Sequence, residues 1–348
     1  MVYLVEENVE ELVRTARETW DDPIVQRYLR EIELTGNPEG WPEDLIRYMD
    51  SGMKSYAESW DALTQLHTEE GTYRRIIDGF DIAPGVHVDL GCGSGGLLAE
   101  LPFDSWVGVD INHYCLQAAE QRLNARGKNT KRFSRSHISF DPETGFVLKP
   151  QPHIFEHDFS EGLLLLDDAA NPGNLLRLLY NNGIRADSVT LTLNGGVQYY
   201  QGIQFLDVMR KNSLHVKNVP SMKGPDIVEE AFRIVPKICR KGGRLLLAIR
   251  QVQISDSEDI IVVDKEGRQV NLSEIMRKGN ADITKISGFG KYELKGVEEV
   301  PLPDENVSGI KTSPRINGYS HEESRQLFTQ AGLDKIPVSL HLYDLEVK

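Results

Sequence analysis

The sequence predicts an α/β fold in which a mostly parallel sheet carries helices on both faces. Three observations predict it. From Val86 onward, short apolar runs alternate with amphipathic stretches. A glycine-rich segment, Val88-Asp89-Leu90-Gly91-Cys92-Gly93-Ser94-Gly95-Gly96, lies between the first such run and the stretch after it. An acid, Asp110, ends the second run, 21 positions beyond Asp89. Parallel neighbours need long crossovers, and helices in those crossovers cover the sheet on both sides.

Taken in order, residues 1 to about 80 read as helical. Val5, Val9, Leu12, Val13 and Ala16 recur at helical spacing among Glu and Arg. Asp22-Pro23 has the form of a helix start, with the acid as cap and proline at the first position. Trp41-Pro42 and Gly71-Thr72 break the pattern. The strand candidates follow as VHVDL (86–90), SWVGVD (105–110), HIFEHD (153–158), SVTLTLN (188–194) and GRLLLAIR (243–250). Between them Tyr114 to Arg126 and Asp226 to Arg240 read as helices. HEESRQLFTQAG (321–332) forms a last helix and PVSLHLYDLEV (337–347) a last strand.

Two segments interrupt the alternation. Residues 131–152 carry a hairpin signal around Asp141-Pro142-Glu143-Thr144-Gly145. Residues 251–318 form an insertion rich in Gly, Pro and charge, with strand-like runs at IIVVD (260–264) and KYELKGVEEV (291–300). The expected domains are therefore a helical cap over 1–80, a core of 81–250 and 319–348, and an inserted α+β lid over 251–318.

Composition narrows the class. The chain has 348 residues, 40% of them hydrophobic, enough for a globular core. Its most conspicuous apolar run, Leu163 to Leu166, is far short of the roughly 20 residues that span a bilayer. The acidic start MVYLVEENVEELV lacks the basic and apolar regions of a secretory signal, so cytoplasmic residence is the expectation. Cys92, Cys115 and Cys239 stand apart without a CxxC pair, so neither a metal site nor a disulfide framework is expected. With 39 basic against 53 acidic side chains the net charge is −14, which disfavours phosphate backbones as partners.

The glycine segment carries the chemistry. Glycines are needed where backbone approaches a ligand closely or takes positive φ. Between a strand and a helix they expose backbone N–H groups and a helix N-terminus to a polar ligand. Asp110 stands where an acid accepts hydrogen bonds from ribose hydroxyls. Gly91, Gly93 and Gly96 also satisfy G-x-G-x-x-G, so on spacing alone a nicotinamide or flavin enzyme remains open.

VDLGCGSGG resembles the first motif of the class I, Rossmann-like S-adenosylmethionine-dependent methyltransferases, and VGVDIN (107–112) resembles their second. HDF (157–159) matches the position of an adenine-contacting acid and its neighbour, and RKGGRLLLAI (240–249) resembles the turn before the fifth strand. The chain's ending resembles the family's final helix and antiparallel strand pair. The resemblance covers roughly residues 75–250 and 319–348. It implies a doubly wound seven-stranded sheet with its last strand antiparallel, and S-adenosyl-L-methionine as cofactor. It further implies that Asp89, Gly91, Cys92, Gly93 and Gly95 hold the methionine end. Asp110 and Ile111 would hold the ribose, and Asp158 and Phe159 the adenine.

Catalytic candidates are fewer. Asn194 ends the fourth predicted strand, but Gly195-Gly196-Val197 replaces the Pro-Pro-aromatic continuation of base-methylating enzymes. Asn194 is therefore read as orienting cofactor or acceptor. Tyr199 and Tyr200 either line the acceptor pocket or pack. Tyr56 and Trp60 share a helical face. In related small-molecule methyltransferases such a helix closes over the cofactor; core packing is the alternative. His67, His113 and His137 are conceivable bases because histidine titrates near neutrality. His67 is kept as the catalytic candidate.

RLNARGKNTKRFSRSH (122–137) holds Arg122, Arg126, Lys128, Lys131, Arg132 and Arg135 without an acid. It reads either as a solvated helix end or as an anion-recognition run. The expected function is methyl transfer to a small-molecule acceptor. A nucleic-acid-directed methyltransferase using the basic run is the alternative, and a non-catalytic module that keeps the fold is a third possibility. Nothing in the sequence indicates an oligomeric state.

Overall fold

The computed structural model describes residues 54, 57–58, 60–110, 112–133, 138–141, 145–148, 157–166, 173–193, 224–252, 259–274, 282–302, 305–306, 321–333, 335–336 and 338–348. The predicted features at 5–16, 22–23 and 41–42, and the residues Tyr56, Ile111, Arg135, His137, Asn194, Tyr199 and Tyr200, lie outside the described residues.

A helix through 60–69 (α1) leads into α2 (Thr72–Phe80). The α/β alternation then begins: β1 (His87–Leu90), α3 (Gly96–Glu100), β2 (Trp106–Asp110), α4 (His113–Ala125), β3 (Thr130–Phe133). A hairpin of β4 (Ile138–Asp141) and β5 (Gly145–Leu148) follows where the turn signal places it. Next come β6 (Gly162–Leu166), α5 (Gly173–Asn181), β7 (Ala186–Leu193), α6 (Gly224–Ile238) and β8 (Cys239–Val252). The remainder comprises β9 (Ile261–Val263), β10 (Gln269–Asn271), β11 (Tyr292–Pro301), β12 (Glu305–Asn306), α7 (His321–Gln330), β13 (Lys335–Ile336) and β14 (Val338–Val347).

The main sheet has eight strands in the order β11-β14-β8-β7-β1-β2-β6-β3. Pairing from β3 to β8 is parallel throughout, and β14 runs antiparallel to both its neighbours. The chain winds outward from β1 on one side and resumes at β7 on the other. The sheet is thus doubly wound, and its switch point lies between β1 and β7, where α/β proteins open a crevice at the C-terminal strand ends.

Alternate strand residues feed two cores. Val88, Val107, Leu163, Val189 and Leu245 meet α5 and α6 through Leu178, Phe232 and Val235. Leu164, Leu246, Ala248 and Leu342 meet α2, α3 and α4 through Ile76, Phe80, Leu98 and Leu116. The second helix of the expected cap is therefore a layer of the core. Gly162 lets β6 pack on Trp106, because a β-carbon there would enter the indole ring.

Three expectations change. The parallel strand beside β2 is GLLLL (162–166): a short run apolar on both faces suits a strand between two neighbours, whereas of HIFEHD, residues 153–156 lie outside the described residues and His157 and Asp158 are in irregular backbone before β6. The sheet gains an eighth strand because β3 adds outside β6. KYELKGVEEV, expected in a lid, is the edge strand β11 of the main sheet. Its charged and exposed residues, which make it read as peripheral, are those that protect a sheet edge from further pairing. Other described parts of 251–318 also pack on the core: Ile283 and Tyr292 join the α6 cluster, with the Tyr292 hydroxyl donating to the Phe232 carbonyl at 3.1 Å. The β9–β10 hairpin is held to α7 and the start of β14 by Val262, Leu272, Phe328 and Val338.

Among the described residues, no helix is long and apolar enough to cross a membrane, and no group of three or more His, Cys, Asp or Glu is placed to hold a metal ion.

Candidate cofactor crevice

The loop after β1 is built on left-handed glycines: φ is 69° at Gly91, 53° at Gly93 and 75° at Gly95. Side chains with a β-carbon resist that region, so the sequence can turn here only with glycine. Space above the loop is unequal. A β-carbon on Gly91 would meet nothing within 4 Å among the described residues, whereas one on Gly93 would run into the Trp60 indole. The loop is open at Gly91 and roofed at Gly93.

Asp110, at the end of β2, closes the side of this opening. Its Oδ2 accepts the Gly93 N–H at 2.8 Å and its Oδ1 accepts the Asn112 N–H at 2.8 Å. A carboxylate only accepts, and each of its oxygens can take more than one donor, which suits a residue that meets hydroxyls. Asn112 in turn caps α4 by accepting the Tyr114 N–H at 3.0 Å. The acid is therefore positioned by loop and helix together.

Asp89 is buried beneath the loop and accepts the Thr190 hydroxyl at 2.9 Å. Desolvation pushes its carboxyl up to about 7, with the Thr190 hydrogen bond opposing and the Asp110 charge adding to the rise. A carboxylate so placed favours a bound cation, which would return it to the ionised form. Burial raises the Cys92 thiol well above its ordinary range, aided by the nearby Asp110 and Asp89 charges, so Cys92 is an inert wall.

Helix α1 lies over the loop, with the Trp60 indole packed against Gly93. The Thr64 hydroxyl is 3.4 Å from that of Ser94. Arg122 of α4 fastens the arrangement: Nε donates to the Ser94 carbonyl at 3.0 Å, one terminal nitrogen to Asp61 at 2.6 Å and the other to Gln65 at 3.0 Å. His67 follows on the same helix, edge-on to Tyr73 with ring centroids 6.1 Å apart. Burial, and then the Arg250 guanidinium from the C-terminal part of β8, lower its imidazole to about 4. It is a neutral ring at physiological pH.

The structure thus brings together Trp60, Asp89, Gly91, Cys92, Gly93, Gly95 and Asp110, with His67 on the covering helix. It does not bring Asp158 and Phe159 to them. These precede β6, at the sheet end opposite the loop, because the strand beside β2 starts at Gly162. Asp158 instead caps a turn by accepting the Ser160 N–H at 2.9 Å, which holds its carboxyl below the usual range.

The cations of the basic run that are among the described residues are engaged within the chain. Besides Arg122, Arg126 pairs with Glu100 at 3.0 Å, Lys131 with Glu161 at 2.7 Å and Arg132 with Glu120 at 2.6 Å. Lys128 donates to the Leu101 and Phe103 carbonyls at 2.8 and 3.2 Å and pairs with Asp104. Sequence reasoning missed Arg122 as a clamp and Arg250 as a neighbour of His67, since neither contact has a local signature.

The sequence matches no protein family and no curated protein. Among solved structures the fold is similar to an S-adenosylmethionine-dependent methyltransferase from Thiobacillus denitrificans, in complex with S-adenosyl-L-homocysteine, at 10% identity and a TM-score of 0.38, over 79% of this chain and 90% of that one. It is also similar to an S-adenosylmethionine-dependent methyltransferase from Clostridium acetobutylicum, at 13% identity and a TM-score of 0.34, over 84% and 98%. TrmN from Thermus thermophilus gives 12% identity and a TM-score of 0.34, over 79% of this chain and 48% of that one. These likenesses are weak in both sequence and superposition, and function has to be read from the chain's own residues.

Proposed function

We propose that the chain binds S-adenosyl-L-methionine in the crevice between β1 and β7 and transfers its methyl group to a small-molecule acceptor. The observation that carries this reading is the pairing of an open glycine turn at Gly91 with two carboxylates of different character. Asp89 is buried and poised for a cation, which suits the amino group of the methionine end. Asp110 is fixed at the strand end as a carboxylate acceptor, which suits ribose hydroxyls. A dinucleotide would place a pyrophosphate against this turn, and two carboxylates beside it oppose that charge.

Bound there, the cofactor supplies a methyl group on a sulfonium, a leaving group ready for in-line displacement. The chain's contribution is then orientation and exclusion of water, which in well-aligned systems is worth up to about 7–11 kcal/mol. Trp60 and Thr64 on α1 roof the loop, and Arg122 holds that roof down. His67, neutral at physiological pH, accepts a proton from an acceptor that must lose one; Asn194 and Tyr199, which follow β7 in the sequence, orient the acceptor. A small-molecule acceptor is favoured because five cations of the basic run are engaged in ion pairs or carbonyl contacts within the chain.

The test is methyl transfer from methyl-labelled S-adenosylmethionine into a metabolite extract and, separately, into total RNA. Label in the small-molecule fraction supports the reading. Label in RNA alone replaces the acceptor class, and label in neither, with no cofactor bound, removes the proposal.

A further inference from the structure

A chain of buried hydrogen bonds runs from Asp89 away from the crevice. The Thr190 hydroxyl is 2.9 Å from Asp89 Oδ1 and 2.9 Å from His87 Nε2, and His87 Nδ1 is 2.8 Å from the Ser188 hydroxyl. All four residues are buried, His87 completely. Register creates the arrangement: His87 pairs with Ser188 and Asp89 with Thr190, so residues two apart on β1 face residues two apart on β7. The apolar pair Val88 and Val189 points to the opposite face.

Counting hydrogens fixes the direction of every bond. An ionised carboxylate only accepts, so Thr190 gives its one hydrogen to Asp89. Thr190 must then accept from His87, which places the ring proton on Nε2. Nδ1 is left as an acceptor, and Ser188 donates to it. Burial keeps this ring neutral by lowering it to about 3. A protonated ring would have no acceptor use for the Ser188 hydrogen.

We propose that His87 is a positioning residue for the cofactor crevice: locked by Ser188 as the Nε2–H tautomer, it aims the Thr190 hydrogen at Asp89 and so holds Asp89 as the anion that a cationic ligand requires. Without His87, the Thr190 hydroxyl is free to turn toward a carbonyl oxygen, and Asp89 keeps a proton to higher pH. The groups facing Asp89 from neighbouring elements are Thr190 on β7, Asp110 on β2 and the Cys92 thiol of the loop. Asp110 opposes the anion and the thiol stays protonated, so Thr190 is the favouring contact among them. The consequence for the cofactor rests on the function proposed above; the tautomer and the Asp89 midpoint do not.

The experiment has one part independent of any ligand. In nitrogen-15 spectra of the labelled protein at pH 8.5, His87 is expected as Nε2–H, and an Nδ1–H ring overturns the proposal. Carboxyl carbon-13 titration, with Asp89→Asn to assign the signal, reads the Asp89 midpoint. Thr190→Val and His87→Phe should each raise it by about one pH unit, the effect of losing a hydrogen bond to a charged group. Thr190→Ser should restore it. A midpoint unmoved by His87→Phe, while Thr190→Val shifts it, overturns the role of His87. The second part is calorimetry with S-adenosylhomocysteine. His87→Phe should bind about fivefold more weakly at pH 7 and approach the wild type at pH 9. A loss equal at both values marks a merely structural role and overturns the proposal. If the wild type does not bind this ligand, the cofactor reading fails, and the tautomer and midpoint still decide the inference.

Discussion

The Trp60 indole occupies the space that a β-carbon on Gly93 would need, so helix α1 and the glycine loop are mutually fitted. Gly93→Ala meets both this obstacle and a φ of 53°. Its expected cost is about 2 kcal/mol, since the left-handed region alone costs roughly 1–2 kcal/mol for a residue with a β-carbon. The midpoint of urea unfolding checks it. Adding Trp60→Ala should return the part due to the obstacle and leave the part due to φ.

Arg122 donates to three residues, Asp61, Gln65 and Ser94, and so joins α1, the loop and α4. Arg122→Ala leaves the Ser94 carbonyl and Asp61 without this donor. The Asp61 side chain is 44% exposed and regains water, so most of the loss comes from the carbonyl and from the packing of a side chain only 12% exposed. About 2 kcal/mol of destabilisation is expected. Limited proteolysis should show earlier cleavage within 60–69 than in the wild type.

Asp89 and His87 give stability opposite dependences on pH. The folded-state value of Asp89 is raised from 3.8 to about 7, so its contribution is fully present below 3.8 and is lost as pH rises through 7. The folded-state value of His87 is lowered from 6.5 to about 3, so its contribution is present above 6.5 and is lost as pH falls toward 3. Asp89→Asn removes the first effect. At pH 8 it should melt higher than the wild type without ligand, yet bind S-adenosylhomocysteine at least about tenfold more weakly. Scanning calorimetry at pH 5 and pH 8 checks the first claim, because the gain should shrink at the lower value.

The basic run offers a separate expectation. With Arg132 joined to Glu120 at 2.6 Å, Arg132→Glu should cost about 1 kcal/mol of stability by placing two acids together. Filter binding of RNA at two salt concentrations should be weak in both the wild type and this variant. Retention by the wild type that falls steeply with salt and disappears in the variant would restore nucleic acid as the acceptor class.

Much of this site is legible in the sequence because its signals are local. The glycines at 91, 93 and 95 announce a turn that only they can make, and Asp110 lies at the end of a run that reads plainly as a strand. The buried relay was not read, although its polar residues were in view. His87, Asp89, Ser188 and Thr190 are polar residues at spacing two in strands expected to be buried on both faces, and such residues need partners there. What the sequence does not carry is strand register, so pairing across about a hundred positions could not be assigned. Arg122 was hidden for the same reason: its partners lie on α1 and the loop, and its neighbours made it look like part of a surface run. GLLLL was passed over as a strand because it carries no alternation to mark it.

Calorimetric titration of S-adenosylhomocysteine into the wild type and Asp110→Ala puts the crevice to its most direct trial. The wild type should bind at a single site. The variant, lacking the ribose acceptor and the anchor of the Gly93 N–H, should bind at least about tenfold more weakly while remaining folded. Equal affinity in the two proteins, or no binding to the wild type with tight binding of a nicotinamide dinucleotide instead, would contradict the assignment.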